Sequence, residues 1–145
     1  MISNNWRANA ACAEIVSDEW FPRPRSAVNP LLLRVCGSCP VWRDCLLYAL
    51  AQPDIWHGIW AGLSAREVAE LRAQLLSGEP AADVIDNARQ IVDNRDPVTI
   101  YQTAAAKPLP SDRELQRQHE QVRAVLSPAS LRNDTKHRRG SGRAA

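Results

Sequence analysis

The chain has 145 residues and a formal net charge of +2, room for one small domain with extensions. No apolar run approaches the roughly 20 residues of a membrane span, which excludes a helical membrane protein and leads us to expect a soluble, cytoplasmic one. Charge is uneven: residues 1–79 and 80–111 each carry −1, while residues 112–145 carry +4, so an anionic partner is expected at the C-terminal end.

In chain order, Trp6 to Ala13 reads as a short helix that delivers Cys12. Trp20, Phe21, Pro22 and Pro24 mark an irregular aromatic stretch. Pro30 suits a first helical position and opens a helix through Leu31, Leu32, Leu33 and Val35 to Cys36. Gly37 and Ser38 form a turn, and Pro40 opens the next helix. Its apolar face is Trp42, Cys45, Leu46, Ala49 and Leu50, so Cys45 points inward. His57 to Gly62 is a glycine-bracketed turn. Ser64 and Glu67 form a capping box for a further helix with Val68, Leu71, Leu75 and Leu76 buried, stopped by Gly78 and Pro80.

Another helix is predicted from Ala82 to Asn94 on Val84, Ile85, Ala88, Ile91 and Val92. Residues 95–110, with Pro97, Pro108 and Pro110, read as a connector holding a short ordered piece. Ser111 and Glu114 cap a last helix whose narrow apolar face is Leu115, Val122 and Leu126, expected to pack loosely or on a partner. From Ser127 the chain is polar and expected to be disordered. No convincing strand pattern is found. The predicted fold is all-α: a small four-helix domain over residues 1–79, a helical extension over 80–126 and a disordered basic tail over 127–145.

The four cysteines, Cys12, Cys36, Cys39 and Cys45, follow the pattern C-x23-C-x2-C-x5-C, and no cysteine follows them. Two disulfides would need an oxidising compartment, and Met1 to Arg7 shows no basic-then-apolar secretion segment. Four buried free thiols clustered by chance, or a thioredoxin-like Cys36–Cys39 pair without a preceding strand, fit the pattern less well. One soft-ligand set for a metal fits best, with zinc and an iron–sulfur cluster as the two occupants. A domain of about 80 residues has a thin core, so such a site would staple the fold.

The segments Cys36-Gly37-Ser38-Cys39-Pro40-Val41, Cys45-Leu46-Leu47-Tyr48-Ala49-Leu50 and Gly58-Ile59-Trp60-Ala61-Gly62 together resemble the WhiB-like transcriptional regulators of actinobacteria and their phages. Trp6 ahead of Cys12 and the helix from Ser64 to Arg72 fit as well. The resemblance spans about residues 5–78. The family's turn usually reads Gly-Val/Ile-Trp-Gly-Gly, and here Ala61 takes the fourth position; where positive φ is required, alanine costs roughly 1 kcal/mol.

The resemblance implies one [4Fe-4S] cluster per chain on Cys12, Cys36, Cys39 and Cys45, and a redox- or nitric-oxide-responsive regulator without enzymatic activity. It also implies binding to the C-terminal domain of the primary sigma factor through the turn residues Gly58, Ile59, Trp60 and Gly62, with promoter DNA met by the basic C-terminus. The cluster would leave a site charge of about −2, which is costly to bury without nearby cations. Arg34 and Arg43 are candidates by sequence proximity. Trp42, beside Cys45, is expected to shield the site. In the tail, Lys136, Arg138, Arg139 and Arg143 can follow phosphates. Cluster loss would leave Cys36 and Cys39 able to form a disulfide in the metal-free form. The rival readings are a zinc-stapled DNA- or protein-binding module and a thiol–disulfide reductase using Cys36 and Cys39.

Overall fold

The computed structural model describes residues 5–15, 17–55, 57–95, 99, 101 and 111–127. The expected first helix is a 3-10 helix over Asn5–Asn9, followed by turns through Glu14. A run this short does not nucleate an α-helix. A second 3-10 helix, Asp18–Trp20, is capped by Ser17.

Helix α1, Pro30–Gly37, starts with Asn29 accepting a hydrogen bond from the Leu31 N–H at 3.0 Å and with Pro30 at its first position. Helix α2, Trp42–Ala51, begins two residues after Pro40. Strands β1, Ile59–Trp60, and β2, Leu63–Ser64, form an antiparallel hairpin pairing Ile59 with Ser64 and Trp60 with Leu63. Helix α3, Ala65–Leu76, carries the complete Ser64–Glu67 capping box. Helix α4 runs Ala81–Asp93 and helix α5 runs Asp112–Val125, with the Ser111 hydroxyl accepting from the Glu114 N–H.

The fold is therefore mostly helical, as predicted, with four differences from expectation. A two-stranded sheet is present; each strand has only two residues, too few to show an alternating pattern. Among the described residues, the first 79 hold three α-helices and two 3-10 helices, so the expected set of four α-helices is not confirmed. Helix α5 is docked, not loose: Val122 and Leu126 are buried against α2 and α3, and His119 Nδ1 meets the Ala51 carbonyl. Leu76, predicted buried, is 39 % exposed at the end of α3.

The core centres on Leu46, Leu50, Leu63, Val68 and Leu71. Val84 and Ala88 of α4 and Val122 of α5 join it, so one hydrophobic cluster runs across residues 1–79 and 80–126. The connector contributes as well. The Tyr101 N–H donates to the Ser26 carbonyl at 2.9 Å, the Val28 N–H donates to Thr99 at 2.8 Å, and the Tyr101 ring is fully buried. Among the described residues no helix is long and apolar enough to cross a membrane. The predicted tail lies outside the described residues.

Candidate metal centre

Three of the four cysteines come from one continuous helix–turn–helix. The Ser38 N–H donates to Arg34, Cys39 to Cys36, Trp42 to Cys39 and Cys45 to Val41, at 3.0–3.2 Å, so the end of α1 passes through the Gly37–Ser38 turn directly into α2. This fixes Cys36, Cys39 and Cys45 relative to one another. Cys12 arrives separately, on the turns after the first 3-10 helix. The Ala11 N–H, next to it, points at the Cys39 sulfur at 3.4 Å and ties this segment to the others.

All four thiols line one cavity whose walls include Trp6, Val35, Trp42 and Ala61. Cys36 is buried, Cys39 and Cys45 are half-buried, and Cys12 is exposed. Trp42 is buried beside the same cavity, and its indole N–H donates to the Ala61 carbonyl at 2.7 Å. The indole N–H of Trp6 is buried without a hydrogen-bond partner among the described residues. As placed, no three His, Cys, Asp or Glu side chains among the described residues are arranged to hold a metal ion.

Electrostatics follow from the burial. The Cys36 thiol is pushed up to about 12, mainly by desolvation and next by the neighbouring Cys45, with a backbone hydrogen bond from Gly62 acting against the rise. Cys45 is pushed up to about 11, again mainly by burial, with Ala61's backbone and the Arg7 charge acting against it. Both are neutral thiols at neutral pH in the metal-free chain, and a bound cation would have to displace their protons. The donor set, four convergent soft sulfurs in an apolar pocket, fits a thiolate-ligated group. Arg34 and Arg43 are both exposed. The cation brought towards Cys45 is Arg7, which sequence proximity to the ligands does not reveal.

The turn residues sit beside this cavity. Ala61 and Gly62, the two residues between β1 and β2, have φ of +54° and +78°, the double positive φ of a type I′ hairpin turn. Ala61 is thus an L-residue in a conformation suited to glycine. Trp60 is half-buried. Its N–H donates to the His57 carbonyl at 3.0 Å, and its ring lies 6.0 Å from Tyr48. Tyr48 lies 5.9 Å from Trp6, and the Arg7 guanidinium stands 4.5 Å from the Tyr48 centroid. Ile59 is half-buried on the same hairpin, and Gly58 is buried, its N–H donating to the Tyr101 hydroxyl at 2.6 Å. Lys136, Arg138, Arg139 and Arg143 lie outside the described residues.

Several residues that build the site are not evident from motifs. Arg72, 5 % exposed, donates to the carbonyls of Ala49, Leu50 and Gln52 at 2.7–2.9 Å and so satisfies the open end of α2. Burial lowers its pKa to about 10, which still leaves it charged at neutral pH. The signal was its register: Val68, Leu71, Arg72 and Leu75 share one helical face. Arg95 pairs with Glu67 at 2.6 Å and also donates to the Gly62 carbonyl at 2.7 Å.

The profile of the WhiB transcription-factor family matches residues 6–71, the stretch that contains all four cysteines and the turn. The chain is 34 % identical over 74 residues to transcriptional regulator WhiB2 of Mycobacterium tuberculosis, covering 51 % of this chain and 81 % of that protein. It is 39 % identical over 67 residues to transcriptional regulator WhiB of Streptomyces coelicolor, covering 46 % of this chain and 75 % of the relative. With WhiB2 of Mycolicibacterium smegmatis it shares 36 % over 73 residues, which is 50 % of this chain and 55 % of that one. No solved structure matches the chain. The profile match ends within α3, so α4 and α5 lie beyond it. On this likeness to named regulators, the chain belongs to the WhiB family of transcriptional regulators.

Proposed function

We propose that Cys12, Cys36, Cys39 and Cys45 hold one [4Fe-4S] cluster, and that the chain regulates transcription by docking its Trp60 face on the C-terminal domain of the primary sigma factor. The supporting observation is the convergence of four thiols, from separate stretches of chain, on one apolar cavity. Four thiolates could also hold one zinc ion; a four-iron cluster gives each thiolate its own iron, and the composition test below separates the two. When bound, the cluster would supply a centre that reacts with oxygen or nitric oxide.

The chain's own residues do the rest. Backbone N–H groups of Gly62 and Ala61 face the sulfurs of Cys36 and Cys45 and favour their thiolate forms, as does Arg7 at Cys45. Trp42 and Trp6 wall the cavity, and Trp6 offers an unused donor to a sulfur-rich ligand. The half-buried row of Trp6, Tyr48 and Trp60 offers the aromatic anchors that dominate interface energetics. The reductase reading is weakened by burial, because an attacking thiol has to be accessible and readily ionised, and Cys36 is neither.

The test is composition after purification without oxygen. The expected protein is brown, with about four irons per chain, and each Cys→Ala variant loses stable iron. A colourless protein with stoichiometric zinc would replace this reading with the zinc-stapled module. DNA contact by Lys136, Arg138, Arg139 and Arg143 is tested separately by deleting residues 132–145. The salt dependence of promoter binding by the protein–sigma complex should flatten, since each lost phosphate contact releases about one counterion fewer. An unchanged slope would remove the tail from the DNA interface.

A further inference from the structure

Beyond the family segment, α4 and Arg95, two residues past its end, touch the candidate metal centre from behind. Val92 packs against Gly62 and Gly37: a Cβ built on Gly62 would lie 3.4 Å from both Val92 methyl groups and from the Cys36 Cβ, and one on Gly37 would lie 3.7 Å from Val92. These are van der Waals contacts between the Val92 side chain and both turns, and the positive φ of Gly62, +78°, is what favours glycine there. Arg89 donates to the Gly37 carbonyl at 2.7 Å, inside the Cys36–Cys39 turn. Its guanidinium lies 5.0 Å from the Trp42 ring centroid and is steered by Asp93 at 3.0 Å. Arg95 donates to the Gly62 carbonyl at 2.7 Å and grips Glu67, whose carboxylate also closes the capping box of α3. The two arginines thus bind one carbonyl in each of the two turns that embrace Cys36.

We infer that Val92, Arg89 and Arg95 form a brace that positions the Cys36–Cys39 turn against the Ala61–Gly62 turn and limits access to the Cys36 sulfur. These are positioning residues: none is a ligand, and they act through Gly37, Gly62 and Trp42. Opening this side requires breaking two charge-assisted hydrogen bonds and exposing Val92, a local unfolding event. The brace therefore sets how often Cys36 meets solvent, and with it how long a bound cluster survives attack. The consequence for metal retention rests on the cluster reading above; the brace itself does not.

The full chain, reduced and metal-free, is treated with iodoacetamide, and alkylation is followed at each cysteine by mass spectrometry. Cys12 should react first and Cys36 last. In the Arg89→Ala/Arg95→Ala double variant, alkylation of Cys36 should accelerate about tenfold while Cys12 keeps its rate. Arg89→Lys, which retains a donor to the Gly37 carbonyl, should recover part of the protection relative to Arg89→Ala. Should the double variant lose its helical circular-dichroism signal, Val92→Ala decides on the same terms: faster reaction at Cys36 alone supports the brace. An unchanged Cys36 rate, or equal acceleration at Cys12 and Cys36, overturns it. In the iron-loaded protein the same variants should bleach several-fold faster in air. Failure of the parent chain to bind iron would count against the cluster alone, because the alkylation rates still decide the brace.

Discussion

The hairpin over Ile59–Ser64 has two unlike flanks. On one, Trp60 stands half-buried in a row with Tyr48 and Trp6, under Arg7. On the other, Gly62 is sealed by Val92, with its carbonyl taken by Arg95. The first flank is made from the segment shared with the family. The second is closed by the chain's own α4, beyond the family match. The difference teaches where regulation and endurance would reside. The aromatic flank leaves polarisable surface for another protein. The braced flank turns Arg89 and Arg95 onto the backbone carbonyls of the two turns.

The largest expected effect strikes beneath both flanks. Arg72→Ala would leave the carbonyls of Ala49, Leu50 and Gln52 without their donor at the end of α2, costing about 3 kcal/mol or more. Chemical denaturation should show both flanks lost together. A stability within 1 kcal/mol of the parent would mean that water serves these carbonyls equally well.

Trp60→Ala separates the flanks. It should weaken sigma-factor binding by about 2 kcal/mol or more while leaving the α4 brace and the cluster absorbance in place. Cluster loss in this variant would instead make Trp60 a structural residue of the metal centre, and titration of sigma factor onto the iron-loaded variant distinguishes the two.

Ala61→Gly acts at the point where the flanks meet. Relief of an alanine at φ +54° should stabilise the hairpin by about 1 kcal/mol, offset in part by the greater freedom of glycine in the unfolded chain. The readout is a rise in melting temperature with unchanged sigma affinity. The smallest effect is expected at the exposed Arg66–Glu70 pair, where side chains 52 % and 64 % accessible should contribute under about 0.5 kcal/mol. Arg66→Ala is therefore the control for Arg95→Ala, whose pair with Glu67 is far less accessible.

Much of this molecule is legible in the sequence where chemistry is local. Pro30 and the Ser64–Glu67 box announce their helices because these start signals lie within the first helical turn. The Cys36–Cys45 spacing shows one helix–turn–helix delivering three thiols to one side. Contacts across long sequence separations are not legible in this way. Arg7 approaches Cys45 from nearly forty residues away, whereas the sequence neighbours Arg34 and Arg43 face solvent. Tyr101 sits in a proline-rich connector whose composition predicts nothing about a buried hydroxyl on Gly58. The docking of α5 was hidden by its mostly polar surface, although Val122 and Leu126 suffice to seat it.

On the proposed function, the cluster holds the aromatic flank in a shape that the sigma factor can bind. Calorimetric titration of the C-terminal domain of the primary sigma factor onto the anaerobically purified protein, before and after cluster removal, tests this. The loaded protein should form a one-to-one complex, and binding should weaken by about 1.4 kcal/mol or more, a factor of ten, once the cluster is gone. Equal affinity in the two states, or no binding in either, would contradict it.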